Sequence, residues 1–382
     1  MIHTRHALIL TATLLATACE QSPGPLAPEL TTGTANAALS PTGPGAVYLT
    51  SNDPAGNEIL VFDRAADGSL AAADPIPTGG LGTGAGLGNQ LSMVLTADHR
   101  LLYVVNAGSD DISGFRVSGG DLEPIGAPVP SGGEQPISLT VDGDLLYVLN
   151  AGAETNISGF RIAPDGSLTP IAGSTQPLSA AGADPAQIRF TPDGDVLVVT
   201  EKSTNTITTY VVDAAGRADA PNPQASAGLT PFGFSFNARG DLVVSEAGGT
   251  GAGASTASSY RVDRDGGLAV VTATVATTQL AACWIAIGQN GRHAYTTNTG
   301  SGTVSRLAIG TGGSLALEDA VAGVTGPGSQ PQDADFTPGG RFLYVRNAGG
   351  SVSGFRVQAD GELAPIGEFG PIPAFANGIV AR

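Results

Sequence analysis

Glu201 and Glu246 each close a short apolar run, Val196 to Glu201 and Leu242 to Glu246. A carboxylate held beside apolar chain can act as a general base. Asn106, Asn150, Asn298 and Asn347 close four equivalent runs, and Ser51 a fifth. An Asn before a turn also bonds its own backbone through its amide, so the four Asn have a structural use as well. A Glu is a poorer turn former, which makes Glu201 and Glu246 the leading catalytic candidates. With Asn150 or Asn298 they also offer the oxygen donors that Ca²⁺ or Mg²⁺ prefers. No His or Cys pair has zinc spacing, and no Gly-x-Ser-x-Gly elbow points to a serine hydrolase. The amides of Asn106, Gln135, Asn150, Asn298 and Asn347, with Phe232 and Trp284, suit a polar neutral ligand. Lys202, the only lysine, follows Glu201 and pairs most simply with an exposed acid.

These positions gain meaning only if something gathers them, and a repeat of about 45 to 50 residues does so. Leu101-Leu102-Tyr103-Val104-Val105-Asn106-Ala107-Gly108 recurs at Leu145 to Gly152 and at Phe342 to Gly349. Each copy is followed by a second strand of one type: Ile112 to Val117, Ile157 to Ile162 and Val352 to Val357. Divergent copies lie at Val196, Leu242 and His293, with a first at Ala46, making seven. Upstream of the last six lies another short run, joined by turns such as Asp142-Gly143, Asp193-Gly194 or Asn290-Gly291. Asp-Gly and Asn-Gly accept the positive φ angles of tight hairpins, so these connections are antiparallel.

Four antiparallel strands repeated seven times predict an all-β, seven-bladed β-propeller over residues 46–382. The first copy lacks its innermost strand, and Phe375 to Ala381 has that strand's character, so the chain end is expected to complete blade one. Counting strands outward from the axis, the Asp-Gly turns lie on one face and the other connections on the opposite face. That second face gathers the strand-end residues and the inner-strand starts Gln90, Gln135, Ala186, Phe232, Cys283 and Gln332. The Gly-rich stretches Gly79 to Gly88 and Gly248 to Gly253 fall there too and are expected to form a pliable rim.

The 382 residues carry 34 acidic and 17 basic groups, a net charge of −17. So acidic a surface repels nucleic acid and anionic lipid. Residues 1–18 combine Arg5 with the apolar run Ala7 to Ala16, the form of a secretory signal. Ala16-Thr17-Ala18 before Cys19 resembles a lipoprotein cleavage box, with Ala16 where Leu is usual, and marks Cys19 for lipidation. Residues 19–45 are Pro- and Gly-rich with no apolar period, as a flexible tether would be. The protein is therefore expected outside the cytoplasm, periplasmic or on the outer surface, anchored through Cys19 or secreted, touching membrane only by that anchor, and monomeric.

Over residues 46–382 the sequence resembles the seven-bladed lactonase family, which includes 6-phosphogluconolactonase and the carboxymuconate cyclases. Thr191 to Gly194, Val199 to Ile207, Thr230 to Phe234 and Arg341 to Val345 carry the likeness. The resemblance implies a catalytic His, two Arg and a Glu. In this chain those positions hold Gln135, Ala186, Cys283 and Glu201, so one of the four matches. Lactone opening needs a base and a group that stabilises the oxyanion, and the second is missing. Two readings stay open: a tethered binding module for a polar neutral small molecule or a protein, and a lactone hydrolase or cyclase using Glu201 with altered, metal-assisted chemistry.

Overall fold

The computed structural model describes residues 45–118, 121–248 and 254–382. The signal, the tether up to residue 44, Cys19 and most of the Gly248 to Gly253 insertion lie outside the described residues.

Runs such as Leu145–Asn150 are apolar at every position but the last because both faces of the strand are covered. Tyr147 and Leu149 pack with Ile188 and Val199 on one side. Leu146 and Val148 pack with Tyr103 and Val105 on the other. The core is thus a ring of layers between adjacent sheets, and no sheet could bury its apolar surface alone.

There are seven sheets, all antiparallel, as the repeat predicts. From the axis outward, blade 2 holds Met93–Leu95, Leu101–Asn106, Asp111–Ser118 and Asp121–Pro124. Blade 3 holds Pro136–Asp142, Leu145–Asn150, Asn156–Ile162 and Leu168–Pro170. Blade 4 holds Pro185–Phe190, Val196–Glu201, Thr206–Val211 and Asn222–Ala225. Blade 5 holds Pro231–Phe236, Asp241–Glu246, Thr256–Val262 and Leu268–Ala276. Blade 6 holds Ala282–Ile287, His293–Asn298, Thr303–Ile309 and Leu315–Val324. Blade 7 holds Pro331–Phe336, Phe342–Asn347, Ser351–Val357 and Leu363–Phe369. In blades 1, 2 and 3 a fifth, two-residue strand also pairs with the third strand.

Blade 1 is built from both ends of the chain. Its inner strand is Asn377–Ala381, paired antiparallel with Gly45–Thr50, and Glu58–Arg64 and Leu70–Ala72 follow outward. The backbones of Ala46 and Arg382 exchange two hydrogen bonds, and Arg64 Nη2 donates to the Arg382 carbonyl at 2.8 Å. Closure removes the exposed sheet edges that an open wheel would leave.

The seven tyrosines fall one to a blade. Tyr103, Tyr147, Tyr295 and Tyr344 sit on second strands, and their hydroxyls donate to the carbonyls of Gly166, Gly216, Gly361 and Gly68 in the outer turn of the following blade. Those glycines have φ between 86° and 95° or close to it, with Gly216 at 79°. In blades 4 and 5 the tyrosine moves to the third strand and turns backward: Tyr210 donates to the Pro177 carbonyl, and Tyr260 accepts from Ala227 N–H. The Tyr of the repeat is therefore a clasp between blades.

Candidate functional site

Each inner strand of blades 3 to 7 is immediately preceded by a residue at positive φ (Gln135, Asp184, Thr230, Ala281 and Gln330, all between 51° and 57°). In each, the register then slips in the strand's first turn. Pro136 faces Asn150 and Ser138 faces Leu149, leaving Ile137 as an extra residue. Ala186 and Cys283 are extra in the same way, as are Phe232-Gly233 and Gln332-Asp333 against one residue each. Such bulges re-aim side chains, and here they set which residues meet at the ring mouth.

The mouth is filled. Gly88, Asn89, Gln90 and Leu91 form a strap that crosses the axis and bonds to inner strands on both sides. Gln90 N–H donates to Ala186 O at 3.0 Å, and Ser138 Oγ donates to Gln90 O at 2.7 Å. On the far side Trp284 Nε1 donates to Asn89 O at 2.6 Å, while the Gln90 amide donates to Ile285 O and accepts from Ile285 N–H. Leu91 N–H donates to Asp333 Oδ2 at 3.2 Å. A Cβ on Gly233 would lie 2.1 Å from Gln90 Oε1, so the strap's approach requires glycine there. The Gly79 to Gly88 stretch is thus not a pliable rim. Its end is buried and pinned because its polar groups complete the unpaired edges of the inner strands.

Beneath the strap lies an apolar cluster of Ala186, Phe232, Cys283 and Trp284 with Ala247 and Ala281. Phe232 and Trp284 pack with ring centroids 4.8 Å apart. Lys202 is buried rather than exposed. Its ammonium lies 5.0 Å from the Phe232 ring centre, donates to Gly88 O at 2.9 Å and pairs with Asp184 at 3.1 Å. This lysine ties the strap to blade 4.

The strand-end residues are brought to this face and each is bonded to neighbouring chain, while Asn150 Oδ1, Asn298 Oδ1 and Asn347 Oδ1 are buried without a hydrogen-bond partner. Both Glu201 oxygens accept hydrogen bonds, from Ser179 N–H at 3.1 Å, Thr204 Oγ1 at 3.0 Å and Thr208 Oγ1 at 2.6 Å, with a further one from Ser179 Oγ. Glu246 accepts from Gly228 N–H, Thr256 Oγ1 and Ser258 Oγ. Burial pushes the Glu246 carboxyl up to about 7, against the lowering effect of those donors. Asn106 donates to Ser113, Asn298 to Ser305 and Asn347 to Ser353, and Asn150 donates to Asn156. One motif recurs in five blades, 2 and 4 to 7: the last residue of the second strand staples the third through a hydroxyl. A Ser or Thr six to twelve positions onward was its sequence signal. Gln135 stands apart, part-exposed on the rim, its N–H held by Asp110 at 2.7 Å. Among the described residues no group of three or more His, Cys, Asp and Glu is placed to hold a metal ion.

The family model for lactonases with a seven-bladed β-propeller matches residues 31–249 and 243–374. This chain belongs to the seven-bladed lactonase family. Similar solved structures include a putative 6-phosphogluconolactonase from Bacteroides fragilis at 20% identity and TM-score 0.63, covering 90% of this chain and 99% of that one. A periplasmic gluconolactonase of Pseudomonas aeruginosa matches at 18% identity and TM-score 0.66, covering 88% and 98%. A protein from Lactobacillus plantarum matches at 19% and 0.70, covering 88% and 99%. At these identities the likeness is one of fold. No curated protein matches in sequence.

Within this lactonase-family wheel, three of the four positions implied as catalytic hold Gln135, Ala186 and Cys283. The strap bonds to Ala186 directly and to Trp284, the neighbour of Cys283. The inner strands also carry charged residues that the repeat did not single out: Arg189, Asp333 and Asp335. Their signal was present, since Ile188-Arg189-Phe190 and Gln332-Asp333-Ala334-Asp335 interrupt otherwise apolar inner strands.

Proposed function

We propose that this chain is an exported propeller that keeps the lactonase fold without lactone chemistry at the ring mouth, and that serves as a binding module tethered outside the cytoplasmic membrane through Cys19. The strap carries this reading. A lactone approaching the positions of Ala186 and Cys283 would meet Gly88 to Leu91 bonded across the axis, and a Lys202 ammonium already engaged by Gly88 O and Asp184 rather than poised for an oxyanion. The same face exposes Leu229, Leu280 and Val324 at 62%, 40% and 62%. Exposed apolar groups on a polar rim favour a protein partner over a small neutral ligand.

The second reading, a hydrolase, draws support from the gluconolactonase neighbours and from Glu246, whose carboxyl titrates where a general acid or base works. One assay separates the two. The purified protein is offered a panel of unphosphorylated lactones, with and without Ca²⁺ or EDTA. Hydrolysis at the buffer rate is the expected result. Turnover abolished by Glu201→Gln would establish the enzyme instead. The anchor has its own test: Cys19→Ser is expected to move the protein from the membrane fraction to the soluble one.

A further inference from the structure

The channel is closed by the strap at one end and open at the other. Below Gln90 and Leu91 lies a cavity of ≈ 310 Å³ that opens among the inner turns, on the face away from the strand-end residues. Inner strands of blades 1, 2, 4, 5, 6 and 7 line it. Its exposed wall is somewhat more polar than apolar, with Arg189, Asp335, His99 and Ser235 beside Met93, Ile285 and Phe336, which suits a small polar ligand better than an apolar one.

Arg189 is the notable member. Its Nη1 donates to Ser235 Oγ at 3.2 Å, and among the described residues no carboxylate lies within ion-pair distance of it. Asp335 acts on it only from a distance across the channel. Each Asp335 oxygen takes one backbone N–H, from Phe336 and from Ala381, both at 2.9 Å, and keeps capacity to accept more. His99 lines the same cavity, and its buried Nδ1 has no hydrogen-bond partner. A guanidinium placed in a channel without a paired anion is costly to keep in a fold, and its open fork matches a carboxylate.

We propose that this cavity is a binding site for a small hydroxycarboxylate, its carboxylate on Arg189 and a hydroxyl donating to Asp335. A carboxylate suits the unpaired fork, and a hydroxyl suits a carboxyl already holding two N–H groups. The site lies on the opposite face from the mouth discussed above, so it stands or falls independently of that reading.

The test is titration calorimetry and thermal shift of the full protein with L-lactate, D-glycerate and D-gluconate, with sorbitol and inorganic phosphate as controls. At least one hydroxycarboxylate is expected to bind, more tightly than either control. Arg189→Gln is expected to weaken that binding at least tenfold. Ala97→Trp, an exposed substitution at the cavity entrance, is expected to do the same with Arg189 intact, and decides the matter if Arg189→Gln fails to fold. No binding by any of the three acids, binding that survives Ala97→Trp, or equal binding of sorbitol or phosphate would overturn the proposal.

Discussion

Trp284 and Asn89, 195 residues apart in sequence, are joined by an indole N–H to carbonyl hydrogen bond of 2.6 Å. With the two bonds between the Gln90 amide and Ile285, it anchors the strap on blade 6. Trp284→Phe keeps an aromatic against Phe232 and deletes the donor, leaving a buried carbonyl unpaired, a loss of about 1–3 kcal/mol. Hydrogen exchange at Asn89 to Leu91 is expected to accelerate while exchange in the outer strands stays unchanged. An unchanged strap would show that its bonds through Lys202, Gln90 and Asp333 hold it without the indole.

Glu201 behaves as a staple in this structure, so its removal should register in stability. Glu201→Ala strands the donors of Ser179, Thr204 and Thr208 and is expected to cost about 2–4 kcal/mol. Glu201→Gln keeps one acceptor oxygen and is expected to cost about half as much. Urea unfolding measures both. A Glu201→Ala protein as stable as wild type would restore the residue as a candidate for chemistry.

Three buried acids set the pH dependence. Burial raises Glu246 and Asp333 to about 7 and Asp335 to about 6. An acid whose folded pKa exceeds its unfolded value binds its proton more tightly when folded, so the stability it contributes is full below the unfolded pKa, near 4, and is lost as pH rises through 6 to 7. The melting temperature is expected to rise as pH falls from 8 to 5. Glu246→Gln, neutral at every pH, should flatten that rise. Below about pH 4 the trend reverses as surface acids held low by hydrogen bonds, such as Asp67, Asp165 and Asp213, take up protons.

Ring closure can be cut at two strengths. Tyr344→Phe removes the hydroxyl that reaches Gly68 in blade 1 at 2.6 Å and is expected to lower stability by about 1–2 kcal/mol. Deleting residues 376–382 strips blade 1 of its inner strand and uncovers the edge of Gly45–Thr50. That protein is expected to aggregate or lose its cooperative melt, which light scattering and calorimetry would register. A truncated chain that melts like wild type would refute closure as the source of stability.

The fold was legible because its signal repeats. Leu-Leu-Tyr-Val marks a strand covered on both faces, Asp-Gly marks the hairpin beside it, and the chain-end strand follows from a missing element. The mouth was less legible because two of its determinants carry no period. The strap lies in a Gly-rich stretch whose backbone, rather than its side chains, does the bonding. The inner-strand bulges each insert an extra residue, Ile137 in blade 3, which strict alternation along the strand does not anticipate. Asn298 and Glu201 look alike as strand ends, but only coordinates show that both reach the hydroxyl of the next strand, Ser305 in one and Thr208 in the other.

Blade 1 is sealed by pairing Asn377–Ala381 with Gly45–Thr50, segments from opposite ends of the wheel. Thr50 Oγ1 reaches the Asn377 carbonyl across 327 residues, so the circle closes only once the six sheets between them are in place, and contacts of such long range form slowly.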